Sequence, residues 1–153
     1  MDLNEKLAAI LARPDTVKLL VTTDEQSVPH AVVKSSLHLD EEQRLVYFEL
    51  LEASQTNRNM VRSIWFDRPV SVTVAGTNGE SYQIKGKPLK AIVSGHAFRK
   101  YYRQVRAENN THDLAAVWII QPQEIIEQTL SVRQEAAAEQ RPYFIHLDRL
   151  VKQ

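Results

Sequence analysis

One lysine, two serines and two histidines crowd into the stretch VPHAVVKSSLHL, residues 28–39. In an extended chain successive side chains point to opposite sides. His30, Val32, Lys34, Ser36 and His38 therefore share one face, and Ala31, Val33, Ser35, Leu37 and Leu39 share the other. The second face reads as core. The first carries an ammonium, a hydroxyl and two imidazoles, a set that a short core strand places together only where it meets water, a partner chain or an anionic ligand. Metal binding is the other chemistry that histidines suggest. Eight residues of extended chain hold His30 and His38 roughly 26 Å apart, too far for one ion.

The remaining reactive residue types exclude more than they propose. There is no cysteine, hence no thiol catalysis, disulfide framework or cysteine-ligated metal. His96, His112 and His146 are scattered over a helix start, a loop and the tail, where a lone histidine is ordinarily structural or solvated. No serine sits in a nucleophile-elbow context, and the four glycines form no phosphate-binding loop. Arg99, Lys100, Arg103 and Arg106 resemble an anion patch, yet Glu108 and Asp113 are near and the bland reading is a solvated helix face. Nineteen basic residues balance nineteen acidic ones, so no global field draws nucleic acid or an anionic membrane. The start, MDLNEKLAAILARPD, has early acidic residues and a short apolar stretch. It reads as neither signal peptide nor membrane span, and a cytoplasmic protein is the expectation.

These residues must be positioned by elements that the hydrophobic pattern announces. Leu3, Leu7, Ile10 and Leu11 mark an amphipathic helix, with Asp2 and Glu5 at capping-box spacing and Pro14 at its end. TVKLLVTT (16–23) reads as a strand, DEQS as a turn into 28–39, and RLVYFELL (44–51) as a third strand completing an antiparallel meander. Ser54 caps a helix over 55–63, with Trp65 anchoring it to the sheet. PVSVTVAG (69–76) and SYQIKGKP (81–88) flank Asn78-Gly79, a hairpin signal for a type I′ turn. A helix follows over 96–107. LAAVWII (114–120) and EIIEQTL (124–130) read as two more strands separated at Gln121-Pro122. Residues 134–140 suggest a helical turn or two, and YFIHLDRLV (143–151) fits either strand or helix. The length suits one domain over 1–153, with an N-terminal helix (1–13) and a C-terminal extension (131–153). The sum is mainly β (α+β), a mostly antiparallel sheet of about seven strands that closes best by curling into a barrel.

Several strings in this order carry a family likeness: Pro29-His30, the apolar third strand, Asn59-Met60, Ile84-Lys85-Gly86, and EQTL at Glu127 to Leu130. Over residues 16–130 the chain resembles the flavin-binding split-barrel proteins related to pyridoxamine 5′-phosphate oxidase, in particular their small FMN-binding members. The resemblance implies an antiparallel split β-barrel of six to seven strands with two to four short helices. It also implies a homodimer with two FMN sites at the subunit interface. The matching phosphate-holding positions are Lys34, Ser35 and Ser36 on the strand and Ser54, Gln55 and Thr56 at the helix start, with Arg58 one turn in. Strand donors and a helix N-terminus suit a phosphate dianion on chemical grounds as well. Related proteins usually carry lysine or arginine where this chain has Gln55-Thr56. Trp118 is placed either beside the isoalloxazine ring or, more simply, in core or interface packing. Two functions follow as expectations: an FMN-dependent oxidoreductase of unknown substrate, in which the cofactor carries the redox chemistry, or a non-enzymatic dimer that binds or stores FMN or another anionic or tetrapyrrole ligand.

Overall fold

A computed structural model describes residues 2–140 of the chain; the 143–151 segment and His146 lie outside the described residues. The elements run α1 (Leu3–Ala12), β1 (Val17–Thr23), β2 (Pro29–Val33), β3 (His38–Leu39), β4 (Leu45–Glu49), α2 (Gln55–Trp65), β5 (Val70–Ala75), β6 (Ser81–Ile92), α3 (Gly95–Glu108), β7 (Ala116–Glu127) and α4 (Leu130–Gln140). The strands form one seven-stranded sheet in the order β2-β1-β5-β6-β7-β4-β3, and every pairing is antiparallel. Its two edges, β2 and β3, are consecutive in sequence, joined only by residues 34–37. Five Cα steps reach at most about 19 Å, so the sheet must curl until its edges nearly meet. This is a split barrel, closed by covalent chain at the one place where no ladder closes it.

That closure corrects the expected meander. The 28–39 stretch is not one strand: it breaks at the turn closed by Leu37 N–H to Lys34 O, 3.1 Å. Hairpins β1–β2 and β3–β4 form as read, but only the last two residues of the 28–39 stretch pair with β4, whose other side pairs with β7. The break also resets the alternation. Ala31, Val33 and Ser35 are exposed, while His30, Val32 and Lys34 are half-buried, the reverse of the expected faces; only Leu37 and Leu39, beyond the turn, point to the core as read.

A second correction concerns β7, a single strand where two were read. Pro122 stands opposite Gly86 at a register shift, and a further shift lies between Pro88 and Lys90. A bulge spares a proline the ladder bond it cannot donate, so the strand runs through. Gly86 is required there: a Cβ would lie 2.6 Å from Gln121 O and 2.9 Å from Ile120 Cγ2. The β5–β6 hairpin forms as read, with another turn type. Gly79 has φ +87° and Asn78 is not left-handed, while Gly76 N–H meets Glu80 O at 2.9 Å. This is a three-residue loop ending in a left-handed glycine rather than a type I′ turn.

Two apolar layers hold the barrel. Leu20, Leu37, Leu45, Tyr47, Met60, Val72, Val74, Ile84, Trp118 and Ile120 fill the interior, capped by Leu7, Ile10 and Leu11 of α1. The α1 capping box forms as spaced, with Glu5 N–H to Asp2 Oδ1 at 2.8 Å and Asp2 N–H to Glu5 Oε2 at 3.1 Å. On the outside, Val105 of α3 packs with Val46, Val117 and Ile119. Burial on both faces explains why LAAVWII is almost continuously apolar. Trp65 does not anchor α2, being 78% exposed at its end beside exposed Phe66.

Candidate cofactor site at the split of the barrel

Lys34 leaves β2 on the inward side, and across the split the last residue of β4 is Glu49. In β4 the period of two puts Leu45, Tyr47 and Glu49 on the interior face, so a carboxylate lies in phase with core residues at the barrel rim. Glu49 is 2% exposed. Its Oε2 is 3.5 Å from Lys34 Nζ and accepts from Leu51 N–H at 3.2 Å; its Oε1 accepts from Ser54 Oγ at 2.9 Å. Lys34 Nζ also stands 5.4 Å from the centre of the Tyr47 ring. The Tyr47 hydroxyl is buried with no hydrogen-bond partner among the described residues, and burial, followed by the Glu49 charge, pushes its ionisation far above the ordinary phenol range.

The turn itself is braced from β1. Lys18 Nζ donates to Leu37 O at 2.7 Å and Ser35 O at 3.4 Å, and burial lowers its pKa from the ordinary lysine value. Ser36 Oγ accepts the Phe48 N–H at 2.9 Å, replacing a ladder bond just past the end of β3. His38 turns back through Nδ1 to Ser36 O at 2.7 Å and lies against the Phe48 ring. Beside the turn is a groove of about 310 Å³, bounded by Val33 to Ser36, Phe48, Leu50 and the end of α3 at Val105 and Glu108, with His112 at its margin.

The head of α2 is likewise occupied. Ser54 Oγ accepts from Asn57 N–H at 3.0 Å while its proton goes to Glu49. Gln55 donates to Asn59 Oδ1 at 2.7 Å and accepts from exposed Arg58 at 2.8 Å. Thr56 is buried. Trp118 is buried in the barrel interior, with its indole N–H on Asn57 Oδ1 at 2.9 Å, tying β7 to the first turn of α2. Of the eight expected cofactor residues, Lys34, Ser35 and Ser36 therefore line one groove. Ser54 reaches Lys34 only through Glu49, and Gln55, Thr56, Arg58 and Trp118 are not among the groove's lining.

Lys18, Tyr47 and Glu49 escaped the sequence reading. For Glu49 the signal was present, since a glutamate two residues after Tyr47 and four after Leu45 shares their face. The residues at the expected phosphate position do not fit a dianion. Their ammonium faces a carboxylate, the cap serine's proton is already given, and the first-turn partial charge already has an anion beside it.

Elsewhere, His96, Arg99, Lys100 and Arg103 lie exposed along α3, whereas Arg106 meets Asp113 at 3.2 Å. Among the described residues no group of three His, Asp or Glu is placed to hold a metal, and no helix is long and apolar enough to cross a membrane.

No family model and no curated protein matches this sequence. Solved structures do. HupZ of Group A Streptococcus superposes with a TM-score of 0.66 at 16% identity, over 82% of this chain and 94% of that one. An FMN-binding protein from Syntrophomonas wolfei gives 0.65 at 14% identity, over 84% and 87%. A candidate pyridoxamine 5′-phosphate oxidase from Listeria innocua gives 0.61 at 17% identity, over 84% and 99%. The chain thus has the split-barrel fold of the pyridoxamine 5′-phosphate oxidase-like and FMN-binding proteins, as its sequence strings implied.

Proposed function

We propose that this chain acts as a homodimer with two equivalent sites for a flavin-class ligand, each in the groove beside the barrel split. The groove is the observation that carries this reading. Val33, Phe48 and Leu50 supply an apolar wall suited to a planar ring, while Ser35 and Ser36 supply polar partners at the same opening. Val33 and Leu50 are also exposed, as is neighbouring Leu51. A second copy seated on this edge would cover that apolar surface and enclose the ring. The flavin assignment is supported by the shared fold of the S. wolfei protein.

Oxidoreductase activity would be the ring's own redox chemistry, with the protein orienting it and excluding water. The second reading, a dimer that binds or stores its ligand, is favoured by the ion-paired state of Lys34. Titration with riboflavin and with FMN, followed by absorbance and fluorescence, tests the site, and light scattering tests the dimer. A perturbed flavin spectrum with a dimeric mass supports the proposal; no flavin response of either kind, or a monomer, overturns it. Bleaching of the bound flavin by a reduced nicotinamide supports the enzyme, and a bound but unbleached flavin supports the binding module.

A further inference from the structure

We infer that Glu49 is a built-in anion standing where a phosphorylated ligand would place its phosphate, so that the site takes ligands carrying no negative charge at that end. The inference rests on the flavin-class reading above and adds a choice within it: riboflavin-like rings over FMN. Three observations converge. First, Glu49 is buried and holds donors of the kinds a phosphate would need, namely Lys34 Nζ at 3.5 Å, the Ser54 hydroxyl at 2.9 Å and Leu51 N–H at 3.2 Å. A hydroxyl has one proton, and that of Ser54 is directed to Glu49.

Second, the side chains around the head of α2 are turned to one another: Gln55 to Asn59 and Arg58, Asn57 to Trp118 and the Glu52 carbonyl, with Thr56 buried. A helix N-terminus attracts anions through its free N–H groups and partial positive charge, and here a carboxylate is already hydrogen-bonded to the cap residue. Third, the groove beside this network is lined by two serines, His112 and apolar side chains, with one lysine, Lys34, and one carboxylate, Glu108, among its described residues. A phosphate dianion entering there meets Glu49 through a cation that Glu49 already neutralises. With that charge balanced, the pair offers a phosphate no net attraction to offset the loss of its hydration.

The test compares riboflavin and FMN on the full chain, wild type and Glu49→Gln, by fluorescence titration at low salt. Wild type is expected to bind riboflavin at least about tenfold more tightly than FMN, and Glu49→Gln to shift that ratio toward FMN by about tenfold or more. Wild type preferring FMN, or an unchanged ratio in Glu49→Gln, overturns the inference while leaving the flavin-class reading in place. Flavin binding by neither protein overturns both. FMN binding that appears only in Glu49→Gln supports the inference and removes the flavin reading of the natural chain. Should Glu49→Gln fail to fold, wild type alone decides through its own ratio and through inorganic phosphate. Phosphate at tens of millimolar, set against chloride at equal ionic strength, leaves FMN binding unchanged if Glu49 holds the anion position, and competes with FMN if the position is open.

Discussion

Replacing Lys34 by methionine keeps the unbranched apolar stem and removes the charged terminal atom, so it isolates what the ion pair across the split contributes. Lys34 Nζ is 3.5 Å from Glu49 Oε2, with the two side chains 17% and 2% exposed. At an effective dielectric of about 20 the gross attraction is about 5 kcal/mol. Desolvation of both ions offsets much of it, but that cost is not recovered when only one partner is removed. Breaking a buried pair from one side typically costs about 3–5 kcal/mol. Here Glu49 keeps the Ser54 and Leu51 donors and the lysine head is partly exposed, which lowers the expectation to about 2–3 kcal/mol. Urea denaturation at neutral pH measures it through a shifted midpoint at unchanged slope. The double variant Lys34→Met/Glu49→Gln should be more stable than Lys34→Met by about 1 kcal/mol or more, since the stranded charge is gone. A single variant within about 0.5 kcal/mol of wild type, or strictly additive effects in the double variant, would refute the reasoning.

Other perturbations reach different parts of the same architecture. Gly86→Ala drives a Cβ into the Gln121 carbonyl at 2.6 Å, and since backbone cannot step aside as a side-chain tip can, a loss of about 2 kcal/mol is expected in thermal denaturation; an unchanged midpoint would show that the bulge yields. Tyr47→Phe deletes a buried hydroxyl with no partner among the described residues and should be neutral or stabilising by up to about 1 kcal/mol at neutral pH. Its pH dependence has a definite sign. Burial first, then Glu49, raises the folded-state value, so the contribution of the neutral phenol is fully present below the unfolded phenol's pKa near 10 and is lost as pH rises above it. Alkaline unfolding curves should therefore be flatter for the phenylalanine variant, and superimposable curves would count against it. Leu51→Glu places a charge on the exposed edge proposed as the dimer seam; a folded monomer by light scattering is the expected result, and a dimer of full mass would move the seam elsewhere.

Much of this fold was legible because its signals are local. The α1 capping box, the Gly79 hairpin and the Ser54 cap each act within a few residues, and all three are in place. What was misread depended on partners distant in sequence. Nothing within residues 28–39 says that the chain crosses from one sheet edge to the other, yet that crossing flips the faces of Ala31 and Val33. Pro122 looked like a strand break because the bulge that tolerates it is set by pairing with Gly86, thirty-six residues earlier. The candidate site divides in the same way. Lys34, Ser35 and Ser36 could be picked out by residue type, since they lie together on one turn. The carboxylate that changes their meaning comes from β4, and it was visible only as a glutamate in phase with Tyr47.

The strand order has a consequence for how the chain is made. β4 finds its inner partner only in β7, which leaves the ribosome some seventy residues later. Until then β2, β1, β5 and β6 can assemble while β3 and β4 hang from the 34–37 turn with an open edge, and contacts this distant in sequence form slowly. β7 brings the most apolar run of the chain to a gap one strand wide, pairing with β6 on one side and β4 on the other. During synthesis that unfilled gap is a template for any passing strand, so a nascent chain paused before residue 116 is the form most in need of a chaperone.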